Sequence, residues 1–135
     1  MDTRTFDLFE LLDWFEDVLD DRANYAGEWL TIFATEQRFI EMHITASDIW
    51  FGAVTNYNLT VDERIATADE LLLGALGWEL EGLGGPAPKW MRSFAPDART
   101  GDIVATVMRA FTTIYLPDAV MEIAVGRGMF VDYQR

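Results

Sequence analysis

EWLTIFATEQRFIEMHITASDIWFGAVTN, residues 28–56, is the stretch whose reading decides the fold. Leu30, Ile32 and Ala34 alternate with Trp29, Thr31 and Phe33, and further on Ile40, Met42 and Ile44 alternate with Phe39, Glu41 and His43. A period of two marks strands, because successive side chains leave a pleated backbone on opposite faces. Glu36, Gln37 and Arg38 between the runs are short enough for a hairpin, although no Asn-Gly or Asp-Gly pair sets the turn type. Thr45 to Asp48 is a second turn candidate, ahead of a third strand in IWFGAVTN. The stretch predicts a three-stranded antiparallel meander.

Working outward, the pattern becomes helical on both sides. Toward the N-terminus Leu8, Leu11, Leu12, Phe15, Val18 and Leu19 recur at helical spacing among acidic residues, which reads as an amphipathic helix with Phe6, Phe9 and Trp14 beside or outside its stripe. After the meander, TVDERIATADELLLGALG offers Thr60 and Glu63 as a capping box. Ile65, Ala68, Leu72, Ala75 and Leu76 form its apolar stripe, and Gly77 is the stop. A third helix is expected in ARTGDIVATVMRAFTTIYL, with Ile103, Val104, Val107, Met108, Phe111 and Ile114 on one face and Pro117 at its end.

The tail is ambiguous. Val120, Glu122 and Ala124 alternating with Met121, Ile123 and Val125 suit a strand, whereas Pro117 with Asp118 suits the start of a short helix. The order is α-β-β-β-α-α with a weak C-terminal element. This predicts one α+β domain over residues 1–135, in which a small antiparallel sheet of three or more strands packs on helices along one face.

Half of the 135 residues are hydrophobic and 13% are aromatic, so the chain has the material for a core. Cysteine is absent, which removes disulfides, thiolate metal sites and thiol nucleophiles. The formal net charge is −13, and eight of the 23 acids fall in the first 21 residues against Arg4 alone. Such a surface repels nucleic acid and anionic lipid. No apolar run reaches the roughly 20 residues of a membrane helix, and acids stand where a secretory leader needs a basic head; the expected location is cytoplasmic.

His43 is the only histidine, so any scheme with an imidazole base must pass through it, and on an alternating strand it reads as a packed residue. The acids follow neither a calcium-loop nor a helical metal-ligand pattern. Gly82, Gly84 and Gly85 follow a helix rather than a strand, lack a Lys-Ser/Thr and lie among acids, which does not make a phosphate cradle. No catalytic, cofactor or metal residue is expected, and the chain does not read as an enzyme.

Tryptophan carries more information. Trp14, Trp29, Trp50, Trp78 and Trp90 exceed what the centre of so small a core takes up. Either some are half-buried rims, or one strand face or the first helix meets a second copy or a client protein. The candidate partner-binding residues are Trp14, Asp13, Glu16 and Asp17 of the first helix and Trp50 of the third strand.

Between the last two helices runs LGWELEGLGGPAPKW, residues 76–90, too aromatic for a slack linker. The GW that ends one helix, the Pro-containing loop that reaches PKW, and the helix ARTGDIVATVMRAFTTIY resemble the actinobacterial TY-Chap domains. These belong to a wider group similar to type III secretion chaperones and YbjN-like proteins. The resemblance covers most of residues 7–116; Lys89 stands where the family more often has an uncharged polar residue. It implies that Trp78 and Trp90 pin an ordered structural loop with residues 82–88 as its tip. It also implies a small acidic homodimer that binds other proteins as a chaperone or adaptor, without nucleotide hydrolysis. An alternative from the acidic first helix is an immunity or inhibitor protein that blocks a basic partner.

Overall fold

A computed structural model describes residues 2–116 and 122–129. The meander is present: β2 (Glu28–Phe33), β3 (Phe39–Ile44) and β4 (Ile49–Val54) pair antiparallel, with Leu30 opposite Met42 and His43 opposite Trp50. The first hairpin closes through Ala34 N–H to Arg38 C=O at 2.8 Å, and Thr35 Oγ1 accepts from the N–H groups of Gln37 and Arg38. In the second turn Thr45 Oγ1 donates to Asp48 Oδ1 at 2.7 Å.

The sheet is larger than expected. Four further strands join it, β1 (Asp2–Phe6), β5 (Glu79–Glu81), β6 (Lys89–Phe94) and β7 (Ile123–Met129), giving seven strands in the order β1-β7-β2-β3-β4-β6-β5, all antiparallel. The weak terminal element is thus an inner strand, seated between β1 and β2. The alternatives that fall on Pro117, Asp118, Val120 and Met121 lie outside the described residues.

Helix α1 (Leu8–Asp20) begins at a capping box: Asp7 accepts from Glu10 N–H at 2.8 Å and Glu10 accepts from Asp7 N–H at 2.9 Å. Phe6, just outside it, belongs to β1 and packs its ring on Trp14 at 5.9 Å. Leu11, Phe15, Val18 and Leu19 are buried as the spacing predicts, but Leu8, in the first turn, is 36% exposed. Arg22 finishes the helix, donating to the carbonyl oxygens of Leu19 and Pro96 at 2.8 Å each and to Thr100 Oγ1 at 3.2 Å. It links the negative end of α1 to the start of α3 (Thr100–Ala110).

The second helix starts later than its sequence predicts. Thr60 makes no cap; it precedes a single tight turn at Val61–Glu63, and α2 runs over Thr67–Ala75. Tertiary hydrogen bonds hold the intervening backbone out of the helix. Arg38 donates to the carbonyl oxygens of Glu63 and Arg64 at 2.7 and 3.1 Å, and Asn56 brackets Ile65 through both its carbonyl oxygen and its N–H. The buried stripe moves accordingly. Leu73 is wholly buried, while Ala68, Leu72 and Ala75 face solvent. Gly77, at φ +93°, ends α2, with Trp78 N–H bonded to Leu73 C=O and Gly77 N–H to Gly74 C=O.

Helix α3 buries Ile103, Val104, Val107 and Met108, and a wider turn at Phe111–Tyr115 extends it. Tyr115 is buried and donates to Val54 C=O at 2.6 Å; burial, with Glu70 nearby, raises its pKa far above the ordinary phenol value. The helices pack on one sheet face. Phe15 meets Phe51, α3 lies against α1, and Gly74 of α2 abuts Trp90. The core is built from Leu30, Ile32, Ile40, Met42, Ile49 and Phe51 of that face together with the helix stripes. The molecule is a mixed α+β fold with one sheet face covered by helices.

Candidate functional site

Alternation assigns the other sheet face as firmly as it assigns the core. Trp29, Thr31 and Phe33 of β2, Phe39, Glu41 and His43 of β3, Trp50 and Gly52 of β4, and Lys89 and Met91 of β6 all point away from the helices. The large rings at its margins are half-buried, and between them Glu41 and His43 are each only 1% exposed. Lys89 reaches the first, and rings flank the second. His43 lies between Trp29 and Trp50, its ring 6.3 Å from the first at 12° and 3.7 Å from the second at 8°.

Lys89 crosses the face to reach Glu41, and its Nζ donates to Glu41 Oε1. Gly52 makes the crossing possible. A Cβ there would stand 3.2 Å from Glu41 Oε1 and 3.3 Å from Lys89 Cδ. His43 Nε2 lies 3.9 Å from Glu41 Oε2, beyond good hydrogen-bond distance but close enough for charge to be felt. Burial acts to raise the Glu41 pKa, yet the interactions with His43 and Lys89 outweigh it and hold the carboxyl below its ordinary value. The carboxylate stays ionised near neutrality, which makes it a fixed charge and a poor general acid. Next to it Thr31 Oγ1 is buried with no hydrogen-bond partner among the described residues.

Two hollows open at one end of this face. One, of about 550 Å³, lies between Phe39, Val54 and Lys89 and the loop residues Asn58, Thr60 and Pro88. The other, of about 350 Å³, lies at Phe33, Thr35, Glu36, Glu122 and Ala124. Among the described residues no His, Asp or Glu cluster has the grouping a metal ion needs.

The structure separates the residues that the sequence groups as partner-binding. Asp13, Glu16 and Asp17 are exposed on α1, and Trp14 is half-buried against Phe6 and Phe15, all on the helix side. Trp50 is on the opposite face, against His43. Trp78 and Trp90 are 2% and 7% exposed, and Trp90 Nε1 donates to Glu70 at 3.2 Å. The loop they bracket is the β5–β6 hairpin. Lys89 and Trp29 carry the face, although the sequence places neither among the candidate partner-binding residues. Glu41 and His43 at alternating positions were a local signal, but their cation is 48 residues away.

Compared with family models, with curated proteins and with solved structures, the chain matches none. Among the described residues no helix is long and apolar enough to cross a membrane.

Proposed function

We propose that the protein is a non-enzymatic protein-binding module, a secretion-chaperone-like or adaptor protein that acts as a homodimer. The observation that carries this reading is the sheet face that no helix among the described residues covers: a row of Trp29, His43 and Trp50, bordered by Phe33, Phe39 and Met91, over an ion pair that is already neutralised. Half-buried aromatic rings around satisfied charges have the composition of interface centres, where tryptophan anchors and unpaired charge is depleted. The resemblance of residues 76–90 and the following helix to TY-Chap domains supports the same reading.

Light scattering on the purified protein, before and after incubation with lysate of its host, tests it. The expected result is a particle of twice the chain mass that retains a protein partner, and loss of that partner in Trp50→Glu. A monomer, or a partner equally retained by Trp50→Glu, sinks the reading.

A second reading has its own observation. Asp13, Glu16 and Asp17 are exposed, and beside them on α1 Phe9 is 79% exposed, which together make an acidic, aromatic-tipped surface fit to block a basic partner as an immunity or inhibitor protein does. Reversing all three acids to lysine abolishes capture on this reading and leaves it intact on the first.

A further inference from the structure

The two hollows on the face opposite the helices of the described residues adjoin one another. Phe33 lines one and Phe39 the other, and these residues are cross-strand partners with ring centroids 5.9 Å apart. Across the strands Ala124 stands opposite Phe33, and Lys89 stands opposite Val54. The floor therefore runs over β7, β2, β3, β4 and β6. Five strands spaced about 4.8 Å apart make roughly 19 Å, the length of about six residues of extended chain.

The two ends differ in charge. Glu36 and Glu122 flank the β7 end, both exposed, and no cation among the described residues pairs with either. At the β6 end the ammonium of Lys89 is engaged by Glu41. Between the ends the floor is apolar, at Phe33, Phe39 and Val54. Along the wall Gln37 Oε1 accepts from Thr60 N–H at 2.9 Å and Asn58 Nδ2 donates to Pro86 C=O at 3.1 Å, which leaves Gln37 Nε2 and Asn58 Oδ1 to meet a peptide backbone. We propose that this groove seats an extended peptide segment of a partner protein, with apolar residues over Phe33, Phe39 and Val54 and a lysine or arginine at the Glu36 and Glu122 end. The proposal rests on the reading of the protein as a binding module and names the chemistry of its partner. Charge argues against a second copy here, since that would bring another chain of net charge −13 onto the two free acids.

The test immobilises the full-length protein and selects from a library of blocked decapeptides randomised at six central positions. The expected pool is enriched in aromatic and aliphatic residues with Lys or Arg on one side. The double variant Glu36→Lys/Glu122→Lys changes only exposed positions, and circular dichroism checks that it folds. It should bind the selected peptides about tenfold more weakly and select Asp or Glu in place of the basic residue. Phe39→Ser should lose binding altogether. Absence of enrichment overturns the proposal, as does affinity unchanged in both variants. Peptides lost only in Trp50→Glu would leave the binding module standing and overturn the groove as its seat. A wild-type dimer that becomes monomeric in Phe39→Ser, with no peptide selected, would assign the groove to a second copy and overturn the proposal as well.

Discussion

Glu41 shows how a single residue can be costly and still be retained in a fold. A carboxylate at 1% exposure loses most of its hydration, and His43 together with the cation brought over Gly52 by Lys89 offsets that loss. The variant Lys89→Met removes the cation and leaves the carboxylate buried. It should lower stability at pH 7 by about 3 kcal/mol in urea titrations, toward the lower end for a broken buried pair because Lys89 keeps some solvent contact. The pH dependence follows from the depressed Glu41 pKa. The stability it contributes is fully present above the unfolded carboxylate value of about 4.3 and is lost as pH falls through the lower folded value. In Lys89→Met burial acts without the Lys89 cation and moves the pKa upward, so the gap to wild type should narrow as acid protonates the variant first. A gap that is constant from pH 7 to pH 4 would remove Glu41 from the explanation.

At the scale of elements, α2 is the instructive case. Its sequence suits a helix from Thr60 onward, but Arg38 and Asn56 hold residues 63–65 through backbone atoms, and those bonds defer the helix to Thr67. Its two glycines then separate by role. Gly74 sits inside the helix, where an added Cβ meets Trp90 at an ordinary 3.7 Å, whereas Gly77 adopts φ +93° at the stop. Gly74→Ala should stabilise by about 0.5 kcal/mol through helix propensity and reduced unfolded-state freedom. Gly77→Ala should destabilise by about 1 kcal/mol, since a side chain strains the left-handed backbone. Thermal melts of both variants check the pair, and shifts of equal sign would refute the assignment.

At the scale of the whole molecule, the strand latest in sequence holds the sheet together. β7 lies between β1 and β2, with Val125 buried opposite Arg4 on one side and Ile32 on the other. Val125→Lys places a buried charge opposite the like-charged Arg4 at that junction and should unfold the chain as one unit. Near-UV circular dichroism from tryptophans on β2 and β6 should disappear together. Hydrogen exchange accelerated only in β1 and β7, with the remainder still protected, would show instead that the meander folds without its C-terminal strand.

What the sequence determined by itself is what periodicity and local chemistry can encode. The meander of residues 28–54, the buried faces of α1 and α3, and the stop at Gly77 all follow from side chains a few positions apart. The α+β class follows as well, because those elements have one apolar side each. The four added strands were decided by tertiary structure. β1 is short and runs straight into a strong capping box, and β5 has three residues beside a Gly/Pro loop, so neither carries a pattern of its own; the alternation at Ile123–Val125 suits a strand, but β7 continues through two glycines and is stabilised by the strands on either side of it. The same holds for the candidate site. Alternation could place Glu41 and His43 on one face with Trp29 and Trp50, but only pairing of β4 with β6 brings Lys89 over Gly52, because ion pairs between distant strands depend on register, which local sequence does not encode.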